Sequence, residues 1–419
     1  MINPNFALRF AAGFGILGDI HFNHLRNKKE YQKMRQFACA LVACAIASAF
    51  AAAPTVHVSK EGASRVVVSI ETAGGTSAAA YRSSLQRNLE RTGYFQVGPN
   101  GQIRVKGAPG GTVVADGAGK RVSLAAPVTD DKSARMAARQ MSDAIVKAHT
   151  GAPGFAMERI AFVNRKGADN AELYMCYPDG FDIRQITSDG RAAVGPRWAP
   201  NKTDIYYTGF LKRTPLVYRL DVTTGQRNLV AQFKGLATGG AVSPDGKKCA
   251  IVLSYQGNPE LYVLDFAAKR LARMTQTPNA SEASPCWSPD GRQIAYVSDE
   301  TRHPQVYVVD VATRKSRRLT NMGFENTNPD WGADGSLTWC TKRGGLNYVA
   351  VMNAAQGEST ARLVTSGGSW EHPSWAADGR HVVASRDRAL FIIDTAPDGD
   401  SPVQLFRMEG NWMNPAWCR

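Results

Sequence analysis

Short apolar stretches separated by turn residues recur along the last two thirds of the chain in one fixed order. The fullest copy reads Pro285-Cys286-Trp287-Ser288-Pro289-Asp290-Gly291, then Ile294-Ala295-Tyr296-Val297, then Val306-Tyr307-Val308-Val309-Asp310, then Arg317-Arg318-Leu319-Thr320. Each stretch has the length and β-branched or aromatic content of a strand, so one unit predicts four strands. The Trp position recurs at Trp198, Val242, Trp287, Trp331, Trp375 and Trp417, at intervals of 44, 45, 44, 44 and 42 residues. The aromatic of the third stretch recurs at Tyr174, Tyr218, Tyr262, Tyr307, Tyr348 and Phe391, at 44, 44, 45, 41 and 43. Two independent landmarks with one period and four strands per unit predict the blades of a β-propeller, six in number.

The turn chemistry agrees with that geometry. In Ser288-Pro289-Asp290-Gly291, Pro presets the second position of a type I turn and Gly accepts the positive φ that follows, which joins the first two strands of a blade as a hairpin. Ser243-Pro244-Asp245-Gly246 repeats it; Gly332-Ala333-Asp334-Gly335 and Ala376-Ala377-Asp378-Gly379 keep Asp-Gly; Ala199-Pro200-Asn201-Lys202 diverges most. The two ends are out of phase in a complementary way. Pro415-Ala416-Trp417 is a first strand with nothing after it, and Arg159 to Val163 is a second strand with no Pro-x-Trp before it. Joined, they complete one blade, so Pro415 and Trp417 are the expected closure residues, and the circle leaves no free sheet edge between its ends.

Ahead of the repeats, residues 54–153 predict a small α+β domain. Strands are expected at Arg65 to Glu71, Tyr94 to Val97, Ile103 to Lys106, Thr112 to Ala115 and Val122 to Ala125, with helices over Ala79 to Arg91 and Lys132 to His149. Gly151-Ala152-Pro153-Gly154 reads as a linker into the propeller at 154–419, closed by the strand 415–419. The fold class is thus mainly β, a C-terminal six-bladed β-propeller preceded by a small α+β domain.

Further upstream, Phe37 to Ala53 is the only long apolar run. With its basic flank and small-x-small endings it reads as a secretory signal over residues 34–53. It is short and alanine-rich for a membrane span. Residues 1–33 precede a signal already complete from Met34. The purine-rich codons of Lys28-Lys29-Glu30 fit a ribosome-binding sequence, and the expectation is that this stretch is not translated. Leu41-Val42-Ala43-Cys44 offers an alternative, a lipoprotein box that would anchor the protein through Cys44; the main expectation is a cleaved signal and a periplasmic location.

Charge and cysteines narrow the picture. The leader holds six basic and two acidic residues, which leaves +10 of the formal +14 on the mature chain, spread rather than clustered. No nucleic-acid-binding motif accompanies it; an acidic protein or an anionic envelope surface suits it better, and the chain is at most peripheral to the membrane. Cys176, Cys249, Cys286, Cys340 and Cys418 are widely spaced inside predicted strands and read as buried small side chains. An α/β-hydrolase partnered by a propeller would need Gly-x-Ser-x-Gly, and Gly368-Ser369-Trp370 lacks it. The mature histidines are His57, His149, His303, His372 and His381. Only His372 directly precedes a first strand, where one His alone is more often a surface or loop residue than a ligand. No catalytic residue, metal or cofactor is expected.

In its order of parts the chain resembles the TolB family, the periplasmic component of the Tol-Pal envelope system. The resemblance is carried by Asn88-Leu89-Glu90-Arg91-Thr92-Gly93-Tyr94-Phe95, by the passage from Gly151 to Val163, and by Pro-x-Trp repeats with Leu-Thr-like endings. It implies a non-catalytic adaptor that binds the peptidoglycan-associated lipoprotein Pal through its propeller and inner-membrane Tol proteins through its N-terminal region, supporting outer-membrane integrity and cell division. Two departures stand out: the small domain is short for the family, and Pro54 to Lys60 is too brief to identify with a partner-binding tail.

Residues just before each Pro-x-Trp should converge at one mouth of the channel. They are Val194-Gly195, Thr238-Gly239, Glu282-Ala283-Ser284, Asn326-Thr327-Asn328, Trp370-Glu371-His372 and Trp412-Met413-Asn414. Glu282, Asn326, Asn328, Trp370, Glu371, His372, Trp412 and Asn414 are the candidate partner-binding residues, a mixture of aromatics, amides and carboxylates common at interfaces. An open alternative is that Trp370 and Trp412 pack between blades and Asn326 or Asn328 caps a turn. The reading is a monomeric exported adaptor for a Pal-like lipoprotein; its rivals are a propeller for a glycan or peptide ligand and, behind that, a propeller hydrolase.

Overall fold

The computed structural model describes residues 65–72, 77–211, 214–230, 235–255 and 257–419. The signal, the 1–33 extension, Cys44, His57 and the Pro54 to Lys60 segment lie outside the described residues.

The small domain runs β1 (Val66–Thr72), α1 (Ala78–Arg91), β2 (Phe95–Val97), β3 (Ile103–Gly107), β4 (Thr112–Gly117), β5 (Lys120–Ala125) and α2 (Asp131–Thr150). Its sheet has the order β2-β1-β3-β4-β5, with β1 parallel to β2 and β3 and the rest antiparallel. Alternation along β3 and β4 puts Ile103, Val105, Val113 and Ala115 under the two helices, where they meet Leu85, Leu89, Met141 and Ile145. α2 starts on a reciprocal cap, since Asp130 accepts from the Ser133 N–H at 2.7 Å and Ser133 Oγ accepts from the Asp130 N–H at 3.0 Å. It ends at Gly151, whose φ of 76° suits a residue without a Cβ.

Six four-stranded antiparallel sheets follow in sequence order around an axis. In the first, the terminal strand Trp412–Trp417 pairs with Ile160–Arg165, Trp417 opposite Ile160 and Ala416 opposite Ala161. The chain's last strand therefore closes the circle, as the phase of the repeats predicts. The inner strands of blades two to six are Ala193–Trp198, Ala237–Val242, Glu282–Trp287, Glu325–Trp331 and Glu371–Trp375. The six aromatics from Tyr174 to Phe391 all fall on third strands.

Local chemistry explains the repeat. Gly291 takes φ 69° and its N–H donates to Ser288 at 2.9 Å, while Ser288 Oγ donates to Asp290 at 2.6 Å. In the divergent turn Lys202 takes φ 60° without being glycine. The Leu-Thr endings also have a cause: Oγ1 of Thr187, Thr275, Thr320 and Thr365 accepts the N–H of Leu173, Leu261, Val306 and Val349, satisfying a third-strand donor where the short outer strand has run out. Blades are riveted by indoles, with Trp287 Nε1 donating to Ala241 O at 2.9 Å and Trp198 Nε1 to Ala416 O at 3.1 Å. Trp287, Trp331, Trp375 and Trp417 are buried, each stabilising by roughly 1.5–3 kcal/mol; Trp198 remains half-buried. The five cysteines are buried and free.

The two domains lock through charge. Arg139 of α2 and Asp179 of blade one are both fully buried and bond at 2.8 Å; Ser84 Oγ and the Phe181 N–H also donate to Asp179. Arg139 and Arg135 reach Asp182. Across the second blade in contact, Arg380 pairs with Asp394 and stacks on Tyr94 at 4.3 Å.

Candidate functional site

The six inner strands share a kink that builds the channel. Their pairing with the second strand slips at the third and fourth residues of the repeat in every blade. There the chain takes positive φ at Gly195 (60°), Gly239 (68°), Ser284 (50°), Asn328 (54°), His372 (52°) and Asn414 (48°). All but Gly239 precede a proline, which has no N–H to lose from the ladder, so the bulge leaves no orphaned donor at the fourth residue. Four of the six are not glycine and hold a conformation that costs about 1–2 kcal/mol, which the closed ring imposes.

This ring of six surrounds a constriction of about 30 Å³ on the axis, lined by Ser284, Asn328, His372, Asn414 and the adjoining prolines. Asn414 is buried, and neither atom of its amide bonds to a described residue. His372 Nδ1 lies 4.0 Å from the Glu371 carboxylate, whose pKa is raised by burial.

One step deeper, the middle residue of each Pro-x-Trp faces the axis. Here Arg197 Nη1 of blade two meets Asp330 Oδ1 of blade five at 3.0 Å, and Arg419 Nη1 meets Asp330 Oδ2 at 2.7 Å. Asp330 also accepts from Ser374 Oγ and the Trp375 N–H. Burial alone would raise its pKa; Arg419 and Arg197 outweigh that and hold it below the usual carboxylate range. The pair separates the constriction from a second cavity of about 310 Å³ at the opposite face.

The candidate residues divide into two groups. Asn328, His372 and Asn414 line the ring, with Glu371 beside them and half-buried. Glu282, Asn326, Trp370 and Trp412 sit at the mouth ends of their strands but are buried in blade packing. Glu282 accepts from Thr277 and Ser298. Asn326 bonds Gln305 and the Met322 carbonyl and accepts from Trp339 Nε1. Trp370 Nε1 donates to Ser366 O, and Trp412 Nε1 to Met408 O, with Trp412 set edge-on to Phe162 and Phe406. Apart from Trp370, which immediately precedes its strand, the positions before Pro-x-Trp belong to the inner strands themselves rather than to the connections, and the first of them turns between blades; His372 likewise is in a strand, not a loop. Pro415 lines the constriction, and Trp417 is buried against Phe155 at 5.4 Å.

Sequence reasoning missed two features. Arg197 and Asp330 carried a signal, opposite charges at the same repeat position three repeats apart. The other is apolar. Of the six large hydrophobics exposed among the described residues, Tyr255, Phe324 and Met408 on loops and Leu346 at the start of a strand lie on the face where the inner strands begin; Phe324 stacks with His303 at 4.0 Å between ring centroids. Nothing in the repeat marks these loops, whose lengths vary. Among the described residues no group of three or more metal-binding side chains forms, and no helix is long and apolar enough to cross a membrane.

The family description "TolB beta propeller domain" matches residues 146–419. A crystal structure of TolB from Acinetobacter baumannii superposes with a TM-score of 0.73 at 24% identity, covering 85% of this chain and 97% of that one. A putative TolB from Agrobacterium tumefaciens gives 0.49 at 20% identity over 62% of this chain and 92% of that one. A nidogen/laminin complex gives 0.51 at 9% identity over 62% and 98%. At these identities the first and third structures speak to fold alone.

Proposed function

The chain belongs to the TolB beta propeller family, and from that premise we propose that it is a periplasmic, non-catalytic adaptor whose propeller docks a Pal-like lipoprotein at the channel mouth. The family supplies protein-binding components of Tol-Pal systems. The observation that carries the reading for this chain is the set Tyr255, Phe324, Leu346 and Met408, exposed on the face where the inner strands begin, which also carries His303 and Glu371. An apolar rim with interspersed polar groups is the composition of a protein-binding patch. The unbonded amide of Asn414 at the throat suits a polar group brought by a partner. Export through the signal at 34–53, cleavage, a contact between the N-terminal region and inner-membrane Tol proteins, and a role in outer-membrane integrity and cell division complete the proposal.

The test is capture from cross-linked envelopes by the mature protein and by a Phe324→Asp, Glu371→Lys double variant. A peptidoglycan-associated lipoprotein should dominate the wild-type capture and be lost with the variant at an unchanged melting temperature. Equal capture by a folded variant rejects the mouth as the interface.

A further inference from the structure

Beyond the Arg197–Asp330 pair the channel reopens toward the other face as the cavity of about 310 Å³. Its walls are the hairpin ends of the inner strands, with Trp198, Trp287, Trp331 and Trp417 among the lining residues, and its floor is Arg197, Arg419 and Asp330. Apolar walls around a few polar groups, in a volume of this order, are the usual make-up of a ligand pocket.

Two guanidinium groups share one carboxylate on that floor. Asp330 is almost fully buried and its oxygens are taken, whereas the side chains of Arg197 and Arg419 are 24% and 27% exposed. Arg197 spends Nη1 on Asp330 and Nη2 on the Pro329 carbonyl, and Arg419 spends Nη1 and Nη2 on Asp330. A guanidinium carries five N–H donors, so both retain some. The floor therefore presents unspent guanidinium N–H donors beside a carboxylate whose oxygens are already engaged, and the ion pair blocks the way to the constriction. A blind cavity admits a chain end but not a chain passing through, and a floor of free N–H donors selects a carboxylate end, which accepts, over an ammonium end, which can only donate.

We propose that this vestibule binds the C-terminal carboxylate of an apolar peptide segment, the last side chains against the tryptophans and the carboxylate forked by Arg197 and Arg419. It lies on the face opposite the mouth, so it stands or falls independently of lipoprotein docking.

Isothermal titration of the whole mature chain with the acetylated tripeptide Ala-Leu-Phe, as free acid and as amide, tests it. The free acid should bind saturably and the amide at least ~10-fold more weakly, a difference of ~1.4 kcal/mol. Ala333→Trp, at an exposed turn residue on the rim, should abolish binding of the acid without lowering the melting temperature, and Ala377→Trp in the neighbouring blade provides a second block should the first fail to fold. Absence of saturation at millimolar peptide, equal affinity for the amide, or full binding by a folded blocked variant overturns the proposal.

Discussion

Arg197 and Asp330 are 133 residues apart and stand on opposite blades, yet their side chains meet at 3.0 Å on the propeller axis. The pair, with Arg419 on the same carboxylate, ties blades two, five and one through the centre of the ring.

Removing that carboxylate leaves two partly buried guanidinium groups facing one another. Asp330→Ala should cost about 3–5 kcal/mol, read as a shift in the urea midpoint. Because the folded pKa is depressed, the stability Asp330 contributes is complete above its unfolded value near 4 and is lost as pH falls through the folded value. The wild type should lose stability below about pH 4 more steeply than Asp330→Asn, and parallel pH curves for the two would contradict this assignment.

Closure rests on one indole. The Trp417 indole is buried on Phe155, while the residue's backbone N–H donates to Ser374 Oγ of the neighbouring blade. Trp417→Ala should lower stability by about 3–5 kcal/mol, measured by calorimetry; an unchanged melting curve would show that the terminal strand is dispensable.

The domain interface should fail as a unit. Asp179→Ala takes from the fully buried Arg139 its fully buried partner, leaving it only Asp182, and removes an acceptor from Ser84. The expected calorimetric trace separates into two transitions, with a loss of about 3–5 kcal/mol at the interface. A single transition at the wild-type temperature would mean that the network adds nothing to docking.

Glu282 predicts a pH effect of the opposite sign. Burial, and then the neighbouring Glu260, push its pKa up to about 8. An acid whose pKa is raised on folding favours the folded state less and less as pH climbs from its unfolded value near 4.3 to about 8. Glu282→Gln should therefore gain roughly 3 kcal/mol at pH 8 relative to pH 5, measured by urea unfolding at both. An identical difference at the two pH values would place the proton elsewhere.

Chain order alone determined the blade count, the hairpin turns and the terminal half-blade, because these are properties of short segments. A type I turn with Gly291 at positive φ is specified by four residues, and the phase between Pro415-Ala416-Trp417 and the strand after Arg159 needs only counting. The small domain's helices and strands were likewise legible from local periodicity. The candidate site was legible only in part: Asn328, His372 and Asn414 reached the axis, whereas Glu282, Asn326, Trp370 and Trp412 turned into the blades.

What decided between them is the bulge that begins at the third position of the repeat in every inner strand, which flips the alternation so that this residue and those after it, not the one heading the repeat, face the channel. Circular closure then set residues three repeats apart opposite each other and brought Arg197 onto Asp330. A linear sequence carries neither the sense of that flip nor a distance across the ring, because both arise only when six sheets close on a common axis.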